Sequence, residues 1–134
     1  MTQDLARRAL PIIGGLFLIC LLGQVFLAGL GVFDDPSTFL THRDVGYALG
    51  FGTLLVLGVA IVARSERLVI ALSVLLLVQF ALQSVFVAMR VDAPVVAAFH
   101  PVNGVLIILV VAAIIVLSAR RSTGRSPVSS SPVP

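Results

Sequence analysis

Four long apolar runs, separated by short polar stretches, occupy residues 9–33, 45–63, 68–89 and 99–118. Each is close to the ~20 residues that a helix needs to cross a ~30 Å hydrocarbon core. None alternates with period two, which excludes a β-barrel. The pattern therefore predicts an all-α fold, an integral membrane four-helix bundle made of residues 1–118. Arg7 and Arg8 precede the first run as they would a signal peptide. That run is far longer than the about 7–15 residues of a signal core, so it reads as a retained span. Residues 119–134, ARRSTGRSPVSSSPVP, are rich in Ser and Pro and lack apolar periodicity. They read as a disordered cytoplasmic tail.

Charge sets the orientation. Arg7, Arg8, Arg64, Arg67, Arg120, Arg121 and Arg125 flank one side of the spans. Arg43 and Arg90 lie on the other, with Asp34, Asp35, Asp44 and Asp92. By the positive-inside rule both termini are cytoplasmic, in a multi-pass protein of the cell membrane. Hydrophobic residues make up 59% of the chain and charged ones 11%, too few to keep a soluble domain of 134 residues in water. The net charge of +3 thus has a topological origin and is no sign of nucleic acid as a partner. The basic residues are all arginine, and with abundant Ala and Val this points to a GC-rich bacterial genome. Cys20 is the single cysteine, so no intramolecular disulfide forms; its place in an apolar run predicts a small buried hydrophobe.

Against this apolar background two histidines stand out. Each opens the pattern His-x-x-x-Gly: His42-Arg43-Asp44-Val45-Gly46 and His100-Pro101-Val102-Asn103-Gly104. Each follows an acidic, proline-containing loop and a phenylalanine, Phe39 or Phe99. The segment Gln24-Val25-Phe26-Leu27-Ala28 also resembles Ser84-Val85-Phe86-Val87-Ala88, and the halves align with a two-residue gap. Two hairpins repeated in parallel about a pseudo-two-fold along the membrane normal are expected. Asp35 and Asp92 are the expected caps of helices two and four, each with a proline in the first turn; the alternative is that each helix starts near its histidine, which then lies at the lipid interface. Pro101 is then an interior proline that frees the Ala97 carbonyl and kinks helix four. Gln24, Gln79, Gln83, Asn103 and Tyr47 fall at the histidine level and form one polar layer in the outer leaflet. For Gln24 and Gln79 the expected role is interhelical hydrogen bonding.

Polar, titratable side chains are costly in lipid, so the paired histidines are the candidate site. Haem iron accepts a neutral imidazole on each face, and a porphyrin needs a narrow slot between facing helices. His42 and His100 are the candidate metal ligands, and Gly46 and Gly104, one turn on, would let a flat group come close. Asn103 and Gln83 complete the candidate cofactor-binding set, while Arg43 or Arg90 would meet propionates at the rim. A zinc site would want further His, Cys or carboxylate ligands, and the spans supply none. No span carries the Asp or Glu expected of an ion-coupled transporter, and no nucleophilic constellation argues for an enzyme.

The segment His42-Arg43-x-x-Gly46-Tyr47-x-x-Gly50 resembles the HR-x-x-G stretch of the haem A synthase family. That family is built from two four-helix halves with paired haem-ligating histidines, and this chain is similar to one half. The resemblance implies that His42 and His100 match the ligand pair. The family carries a glutamate shortly before its first HR motif, where this chain reads Phe39-Leu40-Thr41. The resemblance therefore implies haem ligation and does not extend to oxidative chemistry on haem. Residues 9–118 resemble more closely the small four-helix membrane proteins of actinobacteria that carry HR-x-x-G-Y and HPVNG motifs, a likeness that brings no activity with it. The expected function is a small membrane protein binding haem b between helices two and four, for electron transfer or haem handling. The alternative is a non-enzymatic membrane subunit or scaffold whose polar layer only fastens the bundle. The expected partners are the bilayer and a redox or membrane-protein partner.

Overall fold

The computed structural model describes residues 2–123, with side chains to residue 120. Its helices are α1 (Thr2–Phe33), α2 (Thr38–Val62), α3 (Arg67–Ala88), the single turn α4 (Pro94–Ala97) and α5 (Phe99–Thr123). No strand occurs among the described residues. Four segments are long and apolar enough to cross a membrane: Thr2–Phe33, Thr38–Val62, Arg67–Ala88 and Pro94–Arg120. The protein is an all-α four-helix bundle of the multi-pass membrane class.

Short connections force sequential helices to run antiparallel. α1 packs on α2, α2 on α3, α3 on α5 and α5 back on α1, which closes a four-membered ring. α2 and α5 are therefore diagonal, as are α1 and α3. The buried seam of each helix follows steps of three and four residues, the knobs-into-holes register of near-parallel bundles. On α1 it is Leu10, Gly14, Phe17, Leu21 and Gln24. On α2 it is Thr53, Val56 and Ala60, and on α3 Val69, Ser73, Leu76 and Gln79. Asn103, Ile107, Val111, Ile114 and Ser118 form the seam of α5. The opposite faces are equally apolar: Ile12, Ile19, Phe26, Phe51 and Leu109 are each more than half exposed. Such a surface belongs in lipid, where packing and polar contacts rather than hydrophobic burial hold helices together. Cys20 lies on that outer surface, not in the core as its sequence context predicts.

The helix ends differ from expectation in specific ways. α2 begins at Thr38, seven residues before its apolar run, so Arg43 and Asp44 are helical. Its cap residue is Ser37. Asp35 instead accepts bonds from the Ser37 amide (2.8 Å) and hydroxyl (2.7 Å), closing the turn and lowering its own carboxyl pKa. Ala93, not Asp92, is the cap residue of α4, with Pro94 at the first position. The interruption between α4 and α5 falls at Ala98, beside the carbonyl that Pro101 cannot bond. Pro101 thereby enters the first turn of α5, where a missing N–H costs nothing. Of the tail expected from residue 119, the chain is helical to Thr123, and residues 124–134 lie outside the described residues.

At the opposite end α2 closes with a Schellman turn. The Ser65 amide bonds the Ala60 carbonyl (3.1 Å) and the Arg64 amide bonds Ile61 (2.9 Å). Arg64 takes the left-handed conformation this turn requires, with φ 48°. Arg7 Nε of α1 donates to the Ala63 carbonyl at 3.0 Å, placing a cation at the negative end of α2.

Candidate functional site

The seam register of α2 extends back from Thr53 through Leu49 and Gly46 to His42, in steps of four, three and four. His42 therefore faces the bundle interior from the first turns of its helix. His100 stands in the same relation to Asn103 and Ile107 on α5, and both rings are half-buried. Although their helices are diagonal, the ring centroids are only 6.2 Å apart, with planes at 71°.

Each imidazole is tethered to the preceding long helix, His42 to α1 and His100 to α3. His42 Nδ1 lies 3.0 Å from the Gln24 carbonyl and His100 Nδ1 lies 3.4 Å from the Gln83 carbonyl. A carbonyl only accepts, so in the neutral ring the proton sits on Nδ1 and Nε2 is left as a lone pair. This is the arrangement that orients a histidine for metal ligation through Nε2. The two halves match further: a Cβ on Gly46 would stand 3.6 Å from Gln24 Oε1, and one on Gly104 would stand 3.4 Å from Gln83 Nε2. The structural counterpart of Gln24 is thus Gln83. The alignment through Val-Phe-x-Ala pairs Gln24 with Ser84, one residue or about 100° of helix away.

The glycine notches, which the sequence reserves for a flat group, are reached by glutamine amides. Gln24 and Gln83 support the histidines through their carbonyls while their side chains lie against Gly46 and Gly104. Asn103 Nδ2 donates to the Gln79 carbonyl at 2.9 Å, joining α5 to α3. The expected glutamine fastening is therefore made by main-chain oxygens. Gln24 Nε2, Gln79 Oε1 and Gln83 Oε1 are buried without a partner among the described residues. A polar group left so costs on the order of 1–3 kcal/mol.

Other sequence candidates fall outside this cluster. Arg43 pairs with its neighbour Asp44 at 2.8 Å, and Arg90 Nη1 donates to the Val87 carbonyl at 3.3 Å, both exposed at the histidine end. Tyr47 is 60% exposed and faces outward, so it leaves the polar layer where its position in sequence puts it. Phe39 meets His42 edge-on at 6.5 Å, whereas Phe99 packs on Phe86 at 6.3 Å. No group of three or more His, Cys, Asp or Glu gathers among the described residues, so protein side chains of these types give a metal at most two ligands.

A family of unknown function, DUF6220, matches residues 24–89. The match runs from Gln24 through His42, α2 and α3 to Met89, and so includes one histidine and Gln24, Gln79 and Gln83. No curated protein and no solved structure matches the chain.

Proposed function

We propose that this membrane protein holds a b-type haem between α2 and α5, with His42 and His100 as axial ligands. The observation that carries the reading is the pair of tethered imidazoles 6.2 Å apart across the bundle axis. His42 and His100 would hold the haem iron from its two faces, each through a neutral imidazole. Supporting this, neither Nε2 has a partner among the described residues, and the Gln24 and Gln83 carbonyls favour the tautomer that leaves Nε2 as a lone pair. Laterally the ring would use the notches at Gly46 and Gly104, from which the Gln24 and Gln83 amides would rotate. Asn103 keeps α3 and α5 joined beside the site, and Arg43 and Arg90 stand at the rim where propionates would emerge. Bound there, haem supplies a one-electron couple, which suits electron transfer to a membrane partner or the holding of haem. The arginine distribution supports a site on the outer face with cytoplasmic termini.

A second reading rests on the same contacts. The Nδ1–carbonyl and Asn103–Gln79 bonds fasten neighbouring helices with no ligand, as they would in a non-enzymatic membrane subunit. The haem content of protein purified in detergent after expression with haem precursor separates the two. The haem reading predicts one haem per chain, and less than a tenth of that in His42→Ala and His100→Ala. Equal trace haem in all three samples contradicts it.

A further inference from the structure

We propose that the groove between α1 and α2 at the arginine end of the bundle seats an acyl chain of an anionic phospholipid, whose phosphate is held by Arg8. The groove has a volume of about 420 Å³ and lies between Leu5, Ala6 and Ala9 of α1 and Leu54, Gly58 and Val62 of α2. Apart from Thr2 its lining is apolar, and both helices are long and apolar enough to cross a membrane. What meets the groove in a bilayer is therefore a lipid chain or another apolar helix. A Cβ on Gly58 would meet nothing within 4 Å, so no contact within the chain requires glycine there. Glycine nonetheless weakens a helix interior relative to alanine. The side chain that Gly58 lacks leaves room for something outside the chain.

Charge decides between the two occupants. Arg8 follows Leu5 by three residues and adjoins Ala9, so it stands at the α1 wall of the groove. Arg64 comes two residues after Val62, at the end of the α2 wall. Both side chains are exposed and have no partner among the described residues. An arginine at the end of a span lays its stem along apolar surface and keeps its guanidinium at headgroup level, where its N–H fork matches a phosphate. A second copy of the chain, docked through this groove about a two-fold axis, would instead bring the arginines of both copies to one interface. Asp4, the one carboxylate of α1, is already paired with Arg7 at 3.7 Å and would not relieve that repulsion. The lipid site lies at the end away from the histidines and uses none of the groups of the haem reading, so it stands independently of it.

The test is the unfolding midpoint of the detergent-purified protein with added dioleoyl phosphatidylglycerol, dioleoyl phosphatidylcholine or inorganic phosphate. Phosphatidylglycerol should raise the parent's midpoint by about 4 °C or more, phosphatidylcholine by less than about half as much, and inorganic phosphate not at all. Gly58→Leu, which fills the groove, and Arg8→Gln should each lose most of the phosphatidylglycerol shift, measured from their own baselines. Gly23→Leu, at an exposed glycine farther along α1, should keep it. No shift, equal shifts with both lipids, a shift reproduced by inorganic phosphate, or a full shift in Gly58→Leu and Arg8→Gln overturns the proposal. A parent dimer that Gly58→Leu splits also overturns it, in favour of a second copy. Should a variant fail to fold, native mass spectrometry of the parent in an equimolar mixture of the two lipids gives a second readout. One phosphatidylglycerol should be retained in preference to phosphatidylcholine, and equal retention overturns the proposal.

Discussion

Each histidine depends on one main-chain oxygen, so the site is specified at the scale of single atoms. The Gln24 and Gln83 carbonyls choose the tautomer, and through it which nitrogen can meet a metal. The two histidines were legible in the sequence because little else polar occupies their spans. Their tethers were not, because a main-chain carbonyl leaves no mark in composition. A signal was nevertheless present: Gln24 precedes His42 by 18 residues and Gln83 precedes His100 by 17. Two further residues carry predictions. Arg64 holds a left-handed conformation at φ 48°, so Arg64→Gly should raise stability by about 1 kcal/mol in a detergent unfolding titration. Asp35 has its carboxyl pKa lowered by the Ser37 hydroxyl and then by the Ser37 amide. The turn is therefore fully supported above the unfolded value near about 3.9 and loses that support as pH falls through the lower folded value. Amide exchange at Ser37 should accelerate over that acidic window and stay flat, after correction for intrinsic rates, above it.

Among the helices, the four spans could be read directly from hydropathy, while their ends and close contacts could not. α2 reaches back to Thr38 because helical hydrogen bonding does not require apolar side chains, and hydropathy alone misses its polar first turns. Glycine spacing does not mark the tight contact either. His42, Gly46 and Gly50 share a face by their four-residue repeat, yet a Cβ at Gly50 meets nothing within 4 Å. The close approach is at Gly52, where a Cβ would stand 2.7 Å from Phe17 Cε2, and that ring is held against Phe80 at 5.7 Å. Gly52→Ala should therefore destabilise the bundle by about 1–3 kcal/mol through overpacking. Gly50→Ala should be neutral or stabilising by up to about 1 kcal/mol, from helix propensity alone. Unfolding of the two variants side by side checks the contrast, and an equal loss in both would contradict it.

For the whole molecule, the bundle keeps its unpartnered polar atoms at the histidine end and its arginines mostly at the other. Every helix is apolar outside as well as inside, so the sequence shows that the chain belongs in lipid but not which face of a helix turns inward. Only the three-four register, traced back from Thr53 to His42, settles that for the site. Orientation makes its own prediction. In a Cys20→Ala background, Ser37→Cys should label with an impermeant maleimide on intact cells, and Glu66→Cys only after permeabilisation. The reverse pattern would place the histidines on the cytoplasmic side.

The central claim is that both imidazoles meet one iron, and the optical spectrum of haem-loaded protein tests it most directly. Oxidised and dithionite-reduced spectra of the parent should be those of a six-coordinate, low-spin b-type centre with a sharp reduced α-band. His42→Ala and His100→Ala should each lose that band. A colourless parent that stays folded, with both variants equally stable, would contradict the claim and leave the histidines as fasteners of the bundle.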